Sequence, residues 1–336
     1  MDFAAALNSV VEGESLSQQD AFAAMNAVMD GKVSPVGLAA FLVGLRIKGE
    51  TSAEIAGFAG SMREHCRRIS APAGAIDTCG TGGDGARTAN ISTLAGLCAA
   101  GAGVPVAKHG NRSVSSSSGS ADLLEKLGIR IDCAPETAEK CLSEAGFCFM
   151  FAPGYHPSMK HAMPVRRELA MRTVFNLLGP LTNPAGVKRQ VMGVYSADLV
   201  RPICEALAAL GTERALVVHS RDGLDEISPA ASTSYADLAD GKITEGEFDL
   251  DDLGLEPVAL EKITVNSPEE SLEVARAVLA GDDTPARQAV ILNAGAAIMV
   301  GGRAADLREG MERACDSLAG GKAREVAERT TALSNA

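Results

Sequence analysis

Apolar residues recur at helical spacing through the first 66 residues: Phe3, Leu7 and Val10, then Phe22, Met25 and Met29, then Leu38, Phe41, Leu42 and Leu45. The stops and starts are marked. Gly31 closes the second helix, Ser34-Pro35 opens the third, Gly49 ends it, and Thr51-Ser-Ala-Glu54 has the form of a capping box for a fourth. From Ala75 the period changes. Short apolar runs at Val104 to Lys108, Phe147 to Phe151, Gln190 to Val194, Ala215 to His219 and Ala289 to Leu292 read as strands alternating with helices. That alternation predicts an α/β fold class: a small N-terminal helical domain plus a larger α/β domain with a largely parallel central sheet. The expected boundaries are 1–66 for the helical domain, with a contribution from about residues 160–185, and 75–336 for the α/β domain. Residues 67–74, with Pro72 and Gly74, read as a hinge, and the stretch from Pro153 to Pro184 reads as a second crossing. A cleft between domains is a favoured place for a ligand. Residues 237–257 are acidic and read as a solvated loop or short hairpin. There is no internal repeat and no low-complexity segment beyond the serine run 115–118.

Composition narrows the class. A chain of 336 residues with 46% hydrophobic and 22% charged residues, and mean hydropathy +0.08, can bury a sizeable core in about two domains. A net charge of −12 argues against a broad nucleic-acid or anionic-membrane surface, so an anionic ligand must be met at a focused basic site. The cysteines at 66, 79, 98, 133, 141, 148, 204 and 315 form no Cys-x-x-Cys pair, and they read as reduced thiols of a cytoplasmic protein. The apolar run Val36 to Ile47 is too short to span a bilayer, and the start of the chain has no basic region, so neither a membrane segment nor a secretion signal is expected.

Four blocks carry the candidate chemistry. The first is Asp77-Thr-Cys-Gly-Thr-Gly-Gly-Asp-Gly-Ala-Arg-Thr-Ala-Asn-Ile-Ser-Thr93, a glycine-dense turn running into a helix predicted to start near Asn90. Backbone N–H groups and the positive end of that helix suit a phosphate or pyrophosphate. Neither the dinucleotide fingerprint nor the P-loop spacing fits. The second, Lys108-His-Gly-Asn-Arg-Ser-Val-Ser-Ser-Ser-Ser-Gly-Ser-Ala-Asp122, follows a strand and leads into a helix from Ala121 to Leu127, with Lys108 and Arg112 as positive charge. A serine-rich surface turn is the plainer alternative. The third holds Tyr155-His156 and, from Pro164, Arg166, Arg167 and Arg172, which helical spacing would put on different faces, so that one or two could grip a carboxylate and the rest form surface ion pairs. In the fourth, His219-Ser-Arg-Asp-Gly-Leu-Asp-Glu-Ile-Ser228, the adjacent Asp225 and Glu226 are hard oxygen ligands that suit Mg²⁺ if they face a cleft, and a solvated acidic turn if they do not. Zinc spacing and a Gly-x-Ser-x-Gly nucleophile motif are both missing.

In this order the blocks resemble the anthranilate phosphoribosyltransferases of tryptophan biosynthesis, from the helical start through Gly295. The motifs are Gly80-Thr-Gly-Gly-Asp-Gly85, Asn90-Ile-Ser-Thr93, Lys108-His-Gly-Asn-Arg112, Arg172-Thr-Val-Phe-Asn-Leu-Leu-Gly-Pro-Leu-Thr-Asn-Pro184 and Asp225-Glu226. The resemblance implies a nucleoside phosphorylase/phosphoribosyltransferase-like fold that closes over phosphoribosyl pyrophosphate with Mg²⁺, and a homodimer through the helical domains. It implies a phosphoribosyl pyrophosphate site at Gly80, Gly83, Asp84, Thr88, Asn90, Ser92, Thr93, Lys108, Ser116 and Ser120, and metal positions at Ser92, Asp225 and Glu226. It places anthranilate at Gly80, Asn111 and Arg166, with His109 and His156 along its path, and makes Lys108, Asn111 and Arg166 the catalytic candidates. Ala89, Ser113 and Ser220 depart from residues common in the family without removing a group that would hold pyrophosphate or metal.

The implied reaction joins the anthranilate amine to C1 of the ribose and releases pyrophosphate. Two other readings stay open at this point. One is a pyrimidine-nucleoside phosphorylase, whose Lys-His-Ser ahead of the glycine loop is here Thr78-Cys79-Gly80, and the other is a non-catalytic nucleic-acid-binding paralogue, which the net charge disfavours.

Overall fold

A computed structural model describes residues 1–112 and 119–336; Ser116 and its neighbours of the serine run lie outside the described residues. The first four helices, α1 (Phe3–Val11), α2 (Gln18–Met29), α3 (Pro35–Lys48) and α4 (Ser52–Glu64), follow the apolar spacing. Each begins at a side-chain cap: Asp2, Ser17, Ser34 and Thr51 accept from backbone N–H groups of their own first turns. The Thr51/Glu54 capping box forms, but Glu54 does more than cap. It is fully buried, accepts from the Leu16 amide (2.9 Å) and pairs with Lys48 Nζ (2.8 Å), so one carboxylate ties the α1–α2 connection and the end of α3 to the start of α4. Truncating one partner of such a buried pair typically costs about 3–5 kcal/mol.

The sheet has seven strands: β1 (Ile76–Gly80), β2 (Val106–Gly110), β3 (Phe147–Phe151), β4 (Arg189–Gly193), β5 (Arg214–Ser220), β6 (Thr233–Ala239) and β7 (Lys242–Phe248), in the order β3-β2-β1-β4-β5-β6-β7. The first five are parallel, and β6 and β7 extend the sheet antiparallel. Their turn, Asp240-Gly241, has φ of +51° and +72°, the paired positive values of a type I′ hairpin. The hairpin expected within 237–257 therefore forms, but its bounds and its solvated character need correction: the strand pair starts at Thr233, and its first strand is inside the sheet.

The strand expected at Ala289 to Leu292 is a helix, Pro285–Val300, with every residue from Ala289 to Val300 buried. A short apolar run in a strand and a helix buried on all sides look alike in sequence. The signal that separates them, Thr284-Pro285 at one end and Gly301 at the other, lies outside the run itself.

Two large apolar cores flank the sheet. One packs helix α5 (Ile91–Gly101) and the Pro285–Val300 helix on Ile76, Val106, Phe147 and Val218. The other is shared between the N-terminal helices (Val10, Phe41, Phe58), the segment holding Val165, Leu177 and Leu178, and the opposite strand face at Met192, Val194 and Val217. No helix among the described residues is long and apolar enough to cross a membrane.

Because the chain runs from β1 through β2 to β3 and then returns to the other side of β1 to form β4, the order reverses between β1 and β4. In open α/β sheets a ligand crevice lies outside the carboxyl ends of strands at such a reversal. Here both strands end in glycine, and Gly80 and Gly193 are register partners.

Candidate active site

Those two glycines are required by what lies across them. A Cβ on Gly193 would sit 1.3 Å from the carbonyl oxygen of Asp225, and one on Gly80 would sit 2.5 Å from its Oδ2. The Asp225 carboxylate accepts from the Gly82 amide (2.6 Å), and Glu226 Oε1 accepts from the Ser92 amide (3.1 Å) in the first turn of α5. The glycine turn, the α5 N-terminus and the acidic pair therefore form one assembly. The expected helix start at Asn90 is the N-cap, with Asn90 Nδ2 donating to Ser271 Oγ (2.9 Å).

Lys108 closes this assembly from below. It is 1% exposed, and its Nζ donates to the Thr78 carbonyl and, at 3.3 Å, to Ser92 Oγ. Burial pushes its pKa down, against the carboxylates of Asp77, Glu226 and Asp225 and the Cys79 thiol. Asp77, fully buried, is raised to about 6 by burial, with Lys108, the Asn183 side chain and the His109 amide pulling the other way. Its oxygens take Asn183 Nδ2 at 2.7 Å and the His109 amide at 3.2 Å.

The acidic pair is short of positive charge. Burial raises Asp225 to about 7, with Asp84 adding to the shift, and burial together with the Asp225 and Asp84 charges holds Glu226 well above the usual carboxylate range. Residue Glu226 keeps some exposed surface, yet its Oε2 is enclosed and has no partner. An oxygen-only set of Asp225, Glu226 and the Ser92 hydroxyl with an unpartnered buried carboxylate oxygen fits a hard divalent cation. No three acid, imidazole or thiol groups among the described residues converge into a cage of their own. Mg²⁺ needs none, because it usually takes one or two carboxylates and completes its shell with water and substrate phosphates.

A second cluster lies where β2 meets the segment 155–183. His109 and His156 are 6% and 7% exposed, with ring centroids 5.0 Å apart, and the Nε2 atom of each has no partner. Burial lowers His109 to about 3, with His156 adding to the shift, and burial lowers His156 to about 4. Both imidazoles are neutral at physiological pH. Arg166 is half-buried, lies over the Phe175 ring (5.2 Å) and makes no ion pair among the described residues; burial lowers its pKa.

Helical spacing does not govern all three arginines. The helix Met163–Leu169 ends at Ala170, whose φ is +48°, so Arg172 lies beyond it; it donates to the Gly83 carbonyl and stacks over Tyr195 (4.3 Å). Arg112 does not offer a free charge either: it pairs with Asp122 (2.7 Å) and Glu125 (2.6 Å). Asn111 is exposed, its Oδ1 accepting from the Arg112 amide (2.8 Å), and Ser120 opens the Ser120–Lys126 helix. Thr88 bridges to Thr264, while Thr93 is buried with its Oγ1 unpartnered. A cavity of about 540 Å³ beside Arg189, Arg214 and Gly302 is at the opposite strand ends and shares no residue with this assembly.

Residues 4–66 match the helical bundle domain of the glycosyl transferase family, and residues 73–324 match its a/b domain. The anthranilate phosphoribosyltransferase of Rubrobacter xylanophilus is 48% identical over 330 residues, covering 98% of this chain and 96% of that one. This chain belongs to the anthranilate phosphoribosyltransferase family. Among solved structures, the Thermus thermophilus anthranilate phosphoribosyltransferase superposes with a TM-score of 0.94 at 43% identity over the full length of both chains. The Saccharomyces cerevisiae anthranilate phosphoribosyltransferase, solved in complex with PRPP and Mg, gives 0.89 at 26% identity, covering 99% of this chain and 98% of that one.

In this family member the sequence motifs point at the loops but miss what holds them. Asp77 and Asn183 stand in the sequence only at the ends of motifs, and Asn293, directly after the run Ala289 to Leu292 that reads as a strand, gives no signal except a polar residue among apolar ones. Two outcomes follow from the geometry. Gly193→Ala must displace Asp225, and a shift of about 1 Å in a reacting constellation can cost about 100-fold in rate; kcat/KM at or near the parent value in a folded variant would contradict the close approach. The histidines titrate near 6.5 when unfolded and near 3 and 4 here, so the unfolded chain binds more protons as pH falls below 6.5 and stability drops. Their favourable contribution is complete above that pH. His109→Asn should reduce the loss of unfolding free energy between pH 7 and 5, read by urea titration, by about 2 kcal/mol; an unchanged loss would refute the burial of a neutral ring.

Proposed function

We propose that this chain transfers the phosphoribosyl group of 5-phosphoribosyl 1-pyrophosphate to the amine of anthranilate, giving N-(5-phosphoribosyl)anthranilate and pyrophosphate in tryptophan biosynthesis. One observation carries the reading: Asp225 and Glu226 lie across two glycine-ended strands at the sheet's reversal point, beside the N-terminus of α5. That arrangement offers backbone donors for a diphosphate and unneutralised carboxylates for its cation in the same place.

The diphosphate and ribose are assigned to Gly80, Gly83, Asp84, Thr88, Asn90, Ser92, Thr93, Lys108, Ser116 and Ser120. The free hydroxyl of Thr93 supports this assignment, whereas the burial of Lys108 makes it a source of positive potential and a support for Ser92. Ser92, Asp225 and Glu226 would hold Mg²⁺, which when bound supplies positive charge against the diphosphate oxygens. Anthranilate is assigned to Gly80, His109, Asn111, His156 and Arg166. Arg166, half-buried and without an ion pair among the described residues, has the unmet need that a carboxylate would answer. The neutral histidines suit an uncharged aromatic amine.

In the reaction the C1–O bond to diphosphate breaks, the N–C1 bond forms, and the amine gives up one proton. Among the described residues the chain presents donors for the leaving group and no covalent nucleophile placed for attack, which favours a path in which bond breaking leads. An aromatic amine is neutral at pH 7, so holding it near C1 does the larger share of the work and no strong base is required.

The working parts are the helical domain, 1–66 with about 160–185, and the α/β domain, 75–336, joined through 67–74. A cytoplasmic homodimer is the form we assign. Exposed Val11, Val36 and Ile47, at the ends of α1 and α3, support assembly through the helices. Sedimentation at the dimer mass is expected, with Val36→Glu plus Ile47→Glu shifting it to the monomer; a parent chain sedimenting as monomer removes this part of the reading.

Loss of anthranilate fluorescence on adding phosphoribosyl pyrophosphate and Mg²⁺ is the direct assay. Turnover should stop with EDTA, and Asp225→Asn with Glu226→Gln should reduce kcat/KM by about 100-fold or more. Turnover indifferent to metal and to both substitutions would overturn the assignment of the acidic pair. Phosphorolysis of a pyrimidine nucleoside in place of this reaction would overturn the transferase reading itself.

A further inference from the structure

Asn293 stands in the middle of the Pro285–Val300 helix among Val290, Ile291, Leu292 and Ala294, all buried, and is itself 6% exposed. An amide in such surroundings is unfavourable unless its polar atoms are used. Two of their three bonds go to one residue outside the helix. Oδ1 accepts from the Ile227 amide at 3.0 Å, while Nδ2 donates to the Ile227 carbonyl at 2.9 Å and to the Ala289 carbonyl at 2.9 Å. The Ile227 N–H fixes which end of the amide is the oxygen, so the orientation is unique.

Ile227 directly follows Glu226 and lies in the stretch between β5 and β6, where the ladder of the sheet no longer supports the backbone. The Asp225 and Glu226 side chains are held by amides of the glycine turn and of the first turn of α5. The grip at Ile227 comes from a core helix. Asn293, Thr78, Ser92, Asp225 and Glu226 border one small cavity of about 10 Å³. The side-chain hydrogen bonds of Asn293 go to the backbone of Ile227 and of Ala289, so the amide acts on the acidic pair through the Ile227 backbone.

We propose that Asn293 is a positioning residue for the metal-diphosphate site: its two-bond clasp on Ile227 sets the direction in which Asp225 and Glu226 present their oxygens. The inference rests on the reading of that pair as the cation's ligands. Groups that orient metal ligands typically change metal affinity by about 10- to 100-fold when removed.

The test is calorimetric titration of phosphoribosyl pyrophosphate into the full chain at fixed Mg²⁺, repeated across a Mg²⁺ series. Asn293→Ala should raise Kd and the Mg²⁺ concentration for half-maximal binding by about tenfold, with the KM for anthranilate within about twofold of the parent. Leu292→Ala, a buried neighbour on the same helix, should lower Tm while leaving both binding values within about twofold. If Asn293→Ala does not fold, Asn293→Ser, which is too short to reach Ile227, should show the same weakening. Parent-like Kd and Mg²⁺ dependence in a folded Asn293 variant, or equal weakening in Leu292→Ala, overturns the proposal. A parent chain that binds no phosphoribosyl pyrophosphate with Mg²⁺ overturns instead the reading of the site on which it rests.

Discussion

Three carboxylates, Asp77, Asp225 and Glu226, share the neighbourhood of one buried ammonium, Lys108. Removing charge from water is expensive, and a single cation cannot answer three anions in a space this enclosed. The surrounding structure can be read as the way the chain lives with that imbalance. Backbone amides of Gly82, Ser92 and His109 are spent on carboxylate oxygens, Asn183 is spent on Asp77, and the Lys108 protons go to a carbonyl and a hydroxyl. What remains unanswered is the enclosed oxygen of Glu226. A cation arriving there relieves a cost that the folded chain already bears, so ligand binding and folding stability are coupled at this point.

The segment after Arg172 links this charged wall to the rest of the fold. Its helix, Phe175–Leu181, carries the ring under Arg166 at its start, buries Leu177 and Leu178 in the core shared with the N-terminal helices, and ends two residues before Asn183, which reaches Asp77. A displacement of the N-terminal helices would therefore be felt at both substrate assignments. The same core includes strand residues Met192 and Val217, so the helical unit is seated on the sheet and is not a separate globule.

Much of the fold was legible because its elements are locally punctuated. Caps at Ser34 and Thr51 and the stops at Gly31 and Gly49 stand in the sequence as physical instructions. The failures share one cause, which is that tertiary surroundings decided what local pattern left ambiguous. Ala289 to Leu292 became helix because the element is buried on every side. Arg172 left the expected helix because Ala170 takes a left-handed turn that its sequence does not announce. Arg112 lost its free charge to Asp122 and Glu125, acids ten or more positions away. In the site itself, glycines, hydroxyls and acids advertise ligand contacts, whereas Asp77, Asn183 and Asn293 work through backbone groups that no side-chain motif displays.

The two antiparallel strands that complete the sheet bear on a different matter, the fate of an open edge. A parallel sheet ending at β5 would present a row of unpaired amides and carbonyls next to an apolar strand, and such a row can accept a strand from another chain. Here the last strand, β7, carries Lys242, Glu245 and Glu247, with Glu245 drawn to Arg201 and Glu247 to Arg221. An incoming backbone would have to desolvate or break those ion pairs before it could form a ladder. The hairpin thus works as a guard against runaway strand addition, and leaves association between copies of the chain to matching of side-chain surfaces.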